Sequence, residues 1–479
     1  MITFNGRIVQ FGFGAVGKSF FEKVKKEIKF DEYKYYVITK SKEEFEAYVN
    51  LGGITTNFVV MDVTKENYQE IFSIYLSEGD LLIDFADSVG TRDFCQWCAE
   101  NNIMYLNTGE TDWTDHWYSI FTEHDKKFAL KDIYNHKEDK NRYPIVLQHG
   151  NNPGLVSHFV KAGIHYIVRT QSKFKNDRHI KRLLKDNKYN EVAQILGIKM
   201  IHVNDIDLQE VKGDFNEDIL VSPWCVDSFW FEMLSESTFN VGTHEQIDYN
   251  EDSNLYDKDK GYFEFKQLAV DKKCRTYYPN GKFEGYMVPH EETITIAKSL
   301  EVKENGKITY RPSVMFLYSP CKYARDFLQK SKGKDGKEII RGYAYPNNWE
   351  ILYMEKIDIG TEYVGVLILG DNFNPVWIGN RVECSYLTKD KKSSFWQTPT
   401  ITPVSMSALA AMCWMLKNKN KVRGGIYFPD DIMDYSYILK IVEKYISKTI
   451  YKTFTKEEIE QSLMIDLTNP QTKELMVLD

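Results

Sequence analysis

Arg7-Ile8-Val9-Gln10-Phe11-Gly12-Phe13-Gly14-Ala15-Val16-Gly17 runs an apolar stretch into a glycine cluster. The apolar stretch has the length of a short buried strand, and from Val16 to Ile28 apolar residues recur at helical spacing. A second apolar run follows from Tyr35 to Ile38. Together these segments read as one βαβ unit of about 30 residues. In such a turn the first glycine permits the tight bend, and the second lets the backbone approach a pyrophosphate. The third lets helix and strand pack closely, and the helix N-terminus offers free N–H groups to the phosphate. The bare pattern is common by chance. Its place after a strand and at the head of a helix makes it a nicotinamide-dinucleotide site, carried by Gly12, Gly14, Ala15, Val16 and Gly17.

The alternation continues outward from that unit. Phe58 to Met61, Leu81 to Phe85, Ile103 to Leu106 and Ile145 to Gln148 read as strands, with helices at Tyr68 to Leu76 and Thr91 to Asn101. This order predicts a parallel, doubly wound sheet of Rossmann type. Ligands of such sheets bind at the carboxyl ends of the strands. Asp87, Ser88, Thr108, Asn152 and Pro153 are therefore further candidate cofactor contacts. The second strand ordinarily ends in an acid that bonds the ribose hydroxyls. Here it runs into Thr39 and Lys40, with no acid, and Lys40 reads either as a contact to a 2′-phosphate, which would mean NADP, or as a solvated lysine. Cys95-x-x-Cys98 lies within a predicted helix with no matching second pair, and is read as two ordinary helix thiols.

Past residue 150 the pattern changes. Ile219 to Trp224, Thr293 to Ala297, Val314 to Tyr318, Gly365 to Leu369 and Val376 to Gly379 read as strands separated more often by turns than by helices. The expectation is a second, α+β domain on a largely antiparallel sheet. Ser405 to Lys417 is a strongly apolar helix expected to return to the first domain. The domain reading is thus 1–152 for the dinucleotide-binding domain, completed by 400–445, then 153–399 for the catalytic domain and 446–479 as a C-terminal extension.

The 479 residues are 43% hydrophobic and 14% aromatic, ample for full cores. A net charge of −8 argues against nucleic-acid binding and suits a cationic small molecule. No apolar run is long enough to span a bilayer, and Met1 to Arg7 do not read as a signal peptide. Seven scattered cysteines fit reduced thiols in a cytoplasmic setting.

In the second half, Gly150-Asn151-Asn152-Pro153-Gly154 enters an apolar helix and is able to set Asn152 beside a nicotinamide, although such a turn is more often plain helix entry. Trp224 reads either as core or as a π face for an ammonium ion. Asp205 and Glu232 read as surface charges or as its partners. The spacing of His290, Glu291 and Glu292 does not match a helical zinc motif, so no metal is assigned.

Taken together, these segments resemble bacterial-type homospermidine synthase of the saccharopine dehydrogenase-like superfamily. The matching stretches include Phe11 to Gly14, Asn152 to Ser157, Trp224 to Phe229, Gly242 to Glu245 and Gly285 to His290, followed by Tyr310-Arg311-Pro312, Pro320-Cys321 and Pro429 to Asp431. The resemblance implies NAD as a recycled hydride carrier and aminobutyl transfer between diamines through imines, with ammonia released. It implies that Asn152 lies by the cofactor and substrate, and that Trp224 stabilises cationic intermediates. Asp205 and Glu232 would bind ammonium groups, and His290 would assist proton transfer. It also implies a homodimer.

Three positions depart from the family pattern. Thr39-Lys40 replaces the acid after the second strand. In Asn107 to Trp113 the glutamate, Glu110, comes one place early for the family's Glu-Pro-Trp, leaving Glu110 or Asp112 as the candidate. Asp205 stands where a glutamate is usual. The competing reading is a net oxidoreductase of the saccharopine or carboxyspermidine dehydrogenase type, which would need arginines for a substrate carboxylate.

Overall fold

The computed structural model describes residues 1–87, 89–109, 111–113, 119–135, 142–213, 216–222, 224–245, 253–387, 396–422, 424–460 and 477–478. The chain divides into two compact units. The first joins Met1–Leu155 to Ile401–Tyr445, and the second joins Val156–Thr400 to Ile446–Asp479.

The first unit is built on a parallel sheet. Its strands are β1 (Ile8–Phe11), β2 (Tyr35–Thr39), β3 (Phe58–Val60), β4 (Leu81–Asp84), β5 (Met104–Asn107) and β6 (Pro144–Val146), joined by Gly425–Tyr427 from the distant C-terminal segment. Their order is Gly425–Tyr427, β6, β5, β4, β1, β2, β3, and every pairing is parallel. The reversal of direction at β1 is the switch point at which such sheets hold ligands. The strands of a sheet covered on both faces carry no alternation, and β1, β4 and β5 are buried at every residue. Helices α1 (Ala15–Glu27), α2 (Tyr68–Tyr75) and α3 (Thr91–Glu100) supply crossovers. Cys95 and Cys98 are buried, unbridged thiols of α3. The helix Ile401–Asn418 packs on α1, where the Ser405 and Ser19 hydroxyls meet at 2.6 Å.

The second unit begins with α4 (Leu155–Thr170) and is organised by an eleven-stranded mixed sheet. Its centre is β7 (Ile198–Asp207). On one side β7 pairs parallel with β10 (Ser313–Ser319), which in turn pairs antiparallel with β8 (Glu236–Asn240) and β9 (Gly281–Met287). On the other side β7 pairs antiparallel with β11 (Thr361–Gly370), and β11 with β12 (Val376–Glu383). Past Ile446 the chain adds the strand Ile450–Thr453 to β12. Helices α5 (Val226–Leu234) and α6 (Glu292–Ser299) belong to the same unit.

One expected strand is a helix. Thr293 to Ala297 form the middle of α6, with all five residues buried. A helix covered on every side shows no period of 3.6, so its β-branched run is indistinguishable from a strand at the level of pattern. Among the described residues no helix is long and apolar enough to cross a membrane.

Candidate active site

Each glycine of the first turn meets a different constraint. Gly12 has φ +85°, and a Cβ there would lie 2.8 Å from the Phe85 carbonyl carbon. A Cβ on Gly17 would lie 2.7 Å from the Gly12 oxygen. A Cβ on Gly14, by contrast, would meet nothing within 4 Å among the described residues. The outer two glycines are packed and the middle one faces open space, which is the division of labour a pyrophosphate needs. Gly14 is also the N-cap of α1; it has no side-chain cap, and no acid stands in the first turn. The helix N-terminus therefore keeps N–H groups and positive potential for an anion.

Beneath the turn lies a support that pattern reading missed. The Gln10 amide, fully buried in β1, donates to the carbonyls of Gly12 at 2.9 Å and Gly17 at 3.2 Å. Its own oxygen accepts from Tyr35 Oη at 2.6 Å. A polar residue inside an all-buried strand was the available signal, since such a side chain must find partners.

The other dinucleotide candidates fall at strand ends of the same sheet. Thr39 closes β2 and is buried; Lys40 follows it and is exposed. Asp87 is exposed beyond β4, while Ser88 and Glu110 lie outside the described residues. Thr108 follows β5 and is half-buried. Asn107 ties that end to the strand beside it, its carbonyl accepting from His149 N at 2.9 Å and its side-chain oxygen from Gln148 N at 2.7 Å. Past β6 the chain turns through a cis Asn152–Pro153 bond, and Gly150 N donates to Pro153 O at 2.8 Å. Thr108 and Asn152 are thus brought to neighbouring strand ends, and a Cβ on Gly150 would lie 2.9 Å from Thr108 O. Asp112, the alternative to Glu110, is exposed and accepts from Trp113 N at 2.7 Å.

The second unit gathers its candidates at the carboxyl ends of β7 and β10. Tyr318 faces Asp205 across the parallel ladder, and Trp224 Nε1 donates to Tyr318 Oη at 3.2 Å. Two further acids, not anticipated from the sequence, stand beside Asp205. Asp207 lies two residues on, on the same face, and Glu362 of β11 is its direct cross-strand partner. Both are buried. Gln209 donates to Asp207 through its backbone and its side chain, each at 2.9 Å. Burial pushes Asp207 up to about 6 against these hydrogen bonds. Burial first, and then the charges of Asp205 and Asp207, hold Glu362 well above the ordinary carboxylate range. Three carboxyls so close cannot all ionise without a cation among them.

His290 forms a second cluster. Its Nδ1 pairs with Glu292 and lies 3.5 Å from Glu291, while Nε2 lies 3.6 Å from Glu232 on α5. Phe316 of β10 stacks on the ring at 4.1 Å. Burial alone would lower the imidazole, but the carboxylates, Glu292 foremost, hold it well above the ordinary histidine range. Burial raises Glu232 and Glu292, and His290 draws each back. His290, Glu291 and Glu292 each bring one donor atom within 4.8 Å of the others, so the same groups have the reach of a metal site. Phe316 links the two clusters, stacked on His290 and two residues before Tyr318 on the same strand face.

Residues 8–141 match the saccharopine dehydrogenase NADP binding domain. The homospermidine synthase of Mesorhizobium japonicum is 26% identical over 451 residues, covering 92% of this chain and 89% of that protein. The likeness to homospermidine synthases read from the sequence holds. The homospermidine synthase of Blastochloris viridis is 25% identical over 93% of this chain and 91% of its own length. The fold agrees as well. The crystal structure of homospermidine synthase from Legionella pneumophila in complex with NAD has a TM-score of 0.80 at 23% identity, covering 98% of this chain and 97% of that one.

Proposed function

We propose that this chain is a homospermidine synthase, an enzyme that moves an aminobutyl group from one putrescine to a second amine and releases ammonia. The observation that carries the reading is the buried acid set Asp205, Asp207 and Glu362 beside the anchored indole of Trp224. That combination suits a diamine. Fixed carboxylates bind its ammonium ends, and an indole face favours the cationic imines by about 0.5–2 kcal/mol.

NAD fits the glycine turn of the first unit, where Gly14 leaves room for the pyrophosphate. When bound, it would accept a hydride from an amine carbon and return it to the imine formed after amine exchange. Thr39, Lys40, Asp87, Ser88, Thr108, Asn152 and Pro153 belong to its side of the reading, with Asn152 closest to the reacting end. NAD is the expected form, and Lys40 keeps NADP under test.

The remaining steps are proton movements and charge stabilisation. A protonated amine carries no free pair, so each attacking nitrogen must first lose a proton, and the departing nitrogen must gain one. Glu232, held against His290, suits the first task, and the imidazolium of His290 suits the second. Asp205, Asp207 and Glu362 hold the ammonium end that does not react. Glu110 is proposed as a further catalytic residue on the family resemblance. The reading includes no metal. It also carries a homodimer, to be tested by light scattering, and a cytoplasmic location.

A dehydrogenase acting on an amino acid conjugate would need an arginine for the carboxylate. Arg311 is the only buried arginine among the described residues. Its guanidinium already donates to Val241 O, Asp259 O, Lys258 O and Glu301. Incubation with putrescine and catalytic NAD should yield homospermidine and ammonia. NADH accumulating without the triamine would sink the proposal.

A further inference from the structure

We infer that Asn380 is a substrate-contacting residue whose amide oxygen accepts an N–H from the far nitrogen of an aliphatic diamine. The inference rests on the diamine reading above and adds a residue that no motif marks. Val364 of β11 pairs directly with Asp205 of β7 on one side and with Asn380 of β12 on the other. Directly opposed residues project from the same face of a sheet, so one row presents a carboxylate, an isopropyl group and an amide. With strands about 4.8 Å apart, the two polar residues stand about 10 Å apart at the backbone. A short methylene chain with nitrogen at each end has the matching order of charge, hydrocarbon and charge.

The state of the amide points to a ligand. Asn380 is only 2% exposed, yet neither its Oδ1 nor its Nδ2 has a hydrogen-bond partner among the described residues. Its neighbours on the same strand face, Ile378 and Val382, are buried aliphatics. An orphaned amide between them is costly, whereas a third aliphatic side chain would not be. Nearby buried atoms that also lack a hydrogen-bond partner include Asp207 Oδ2, Glu362 Oε2 and Gln209 Oε1. All three are acceptors. A partner that satisfies them together with Asn380 Oδ1 must bring several N–H donors and positive charge, and an alkylammonium does both.

The test compares wild type, Asn380→Leu and Asn380→Asp, with titration calorimetry against putrescine and n-butylamine in the presence of NADH, which cannot accept a hydride and so prevents turnover. Asn380→Leu should leave Tm unchanged or higher while weakening putrescine binding about tenfold or more, the loss expected for one hydrogen bond to a charged group. Binding of n-butylamine, which has no far nitrogen, should change less than about twofold under the same comparison. Asn380→Asp should tighten putrescine binding, and it carries the test if the leucine variant does not fold. A lower Tm with unchanged putrescine affinity would overturn the inference, because the amide would then be serving the fold through a buried water. Equal losses for both amines would overturn it too. Wild-type protein that binds no diamine overturns the functional reading itself, whereas wild-type binding untouched in both variants overturns only the role of Asn380.

Discussion

Trp224 Nε1 donates to Tyr318 Oη at 3.2 Å, and Tyr318 stands directly across the ladder from Asp205. The indole is thereby fixed by the strand paired with the one that carries Asp205 and Asp207. Tyr318→Phe should remove this anchor without removing the ring. Turnover with putrescine should fall by about three- to tenfold, in line with one lost neutral hydrogen bond. Trp224→Ala should cost more than Trp224→Phe, because phenylalanine keeps a π face. Steady-state kinetics on the three variants checks this, and unchanged turnover in Tyr318→Phe would remove the anchoring role.

The glycines of the dinucleotide turn should separate binding from stability. Gly14→Ala adds a methyl where the structure is open, so Tm should hold while NAD affinity drops at least about tenfold through lost close approach. Gly17→Ala drives a methyl against the Gly12 carbonyl, so Tm should fall by several degrees, the effect of about 1–3 kcal/mol of overpacking. Thermal melts with and without NAD read both quantities. Equal melting temperatures for the two variants would contradict this division.

The His290 cluster predicts alkaline sensitivity. A histidine whose folded value is raised contributes stability that is complete below its unfolded value of about 6.5 and is lost as pH rises through the raised value. Burial also raises Glu232 and Glu292, so ionising them without an imidazolium works in the same direction. Wild-type Tm should therefore decline on the alkaline side. Glu292→Gln, which removes the strongest of the carboxylates holding His290 charged, should flatten that decline. Parallel declines in the two proteins would count against it.

Cofactor preference should respond to Lys40, exposed just beyond Thr39 at the end of β2. Lys40→Asp should shift the ratio of NAD to NADP affinity toward NAD, because a carboxylate bonds ribose hydroxyls and repels a 2′-phosphate. Fluorescence titration with both reduced cofactors measures the ratio, and an unmoved ratio dismisses Lys40 as a determinant.

Chelation should leave turnover intact, since His290 Nδ1 is already engaged by Glu292. Loss of activity on dialysis against a chelator, with recovery on adding one divalent metal, would instead make His290, Glu291 and Glu292 a metal site.

The family resemblance singled out Trp224, Glu232 and His290, whereas the sequence by itself determined the glycine turn and the parallel sheet around it. These are local: a tight turn demands glycine at fixed offsets, and strand–helix alternation is written in periodicity. Tertiary structure alone decided what those residues meet. Glu362 and Asn380 come to one face with Asp205 through strand register, which joins segments more than 150 residues apart and leaves no trace in local spacing. The helix at Thr293 to Ala297 was hidden for the complementary reason, that complete burial erases the periodicity by which a helix is read. The raised proton affinity of His290 likewise comes from packing, because only the fold sets Glu232 opposite the side of the ring that faces away from Glu292.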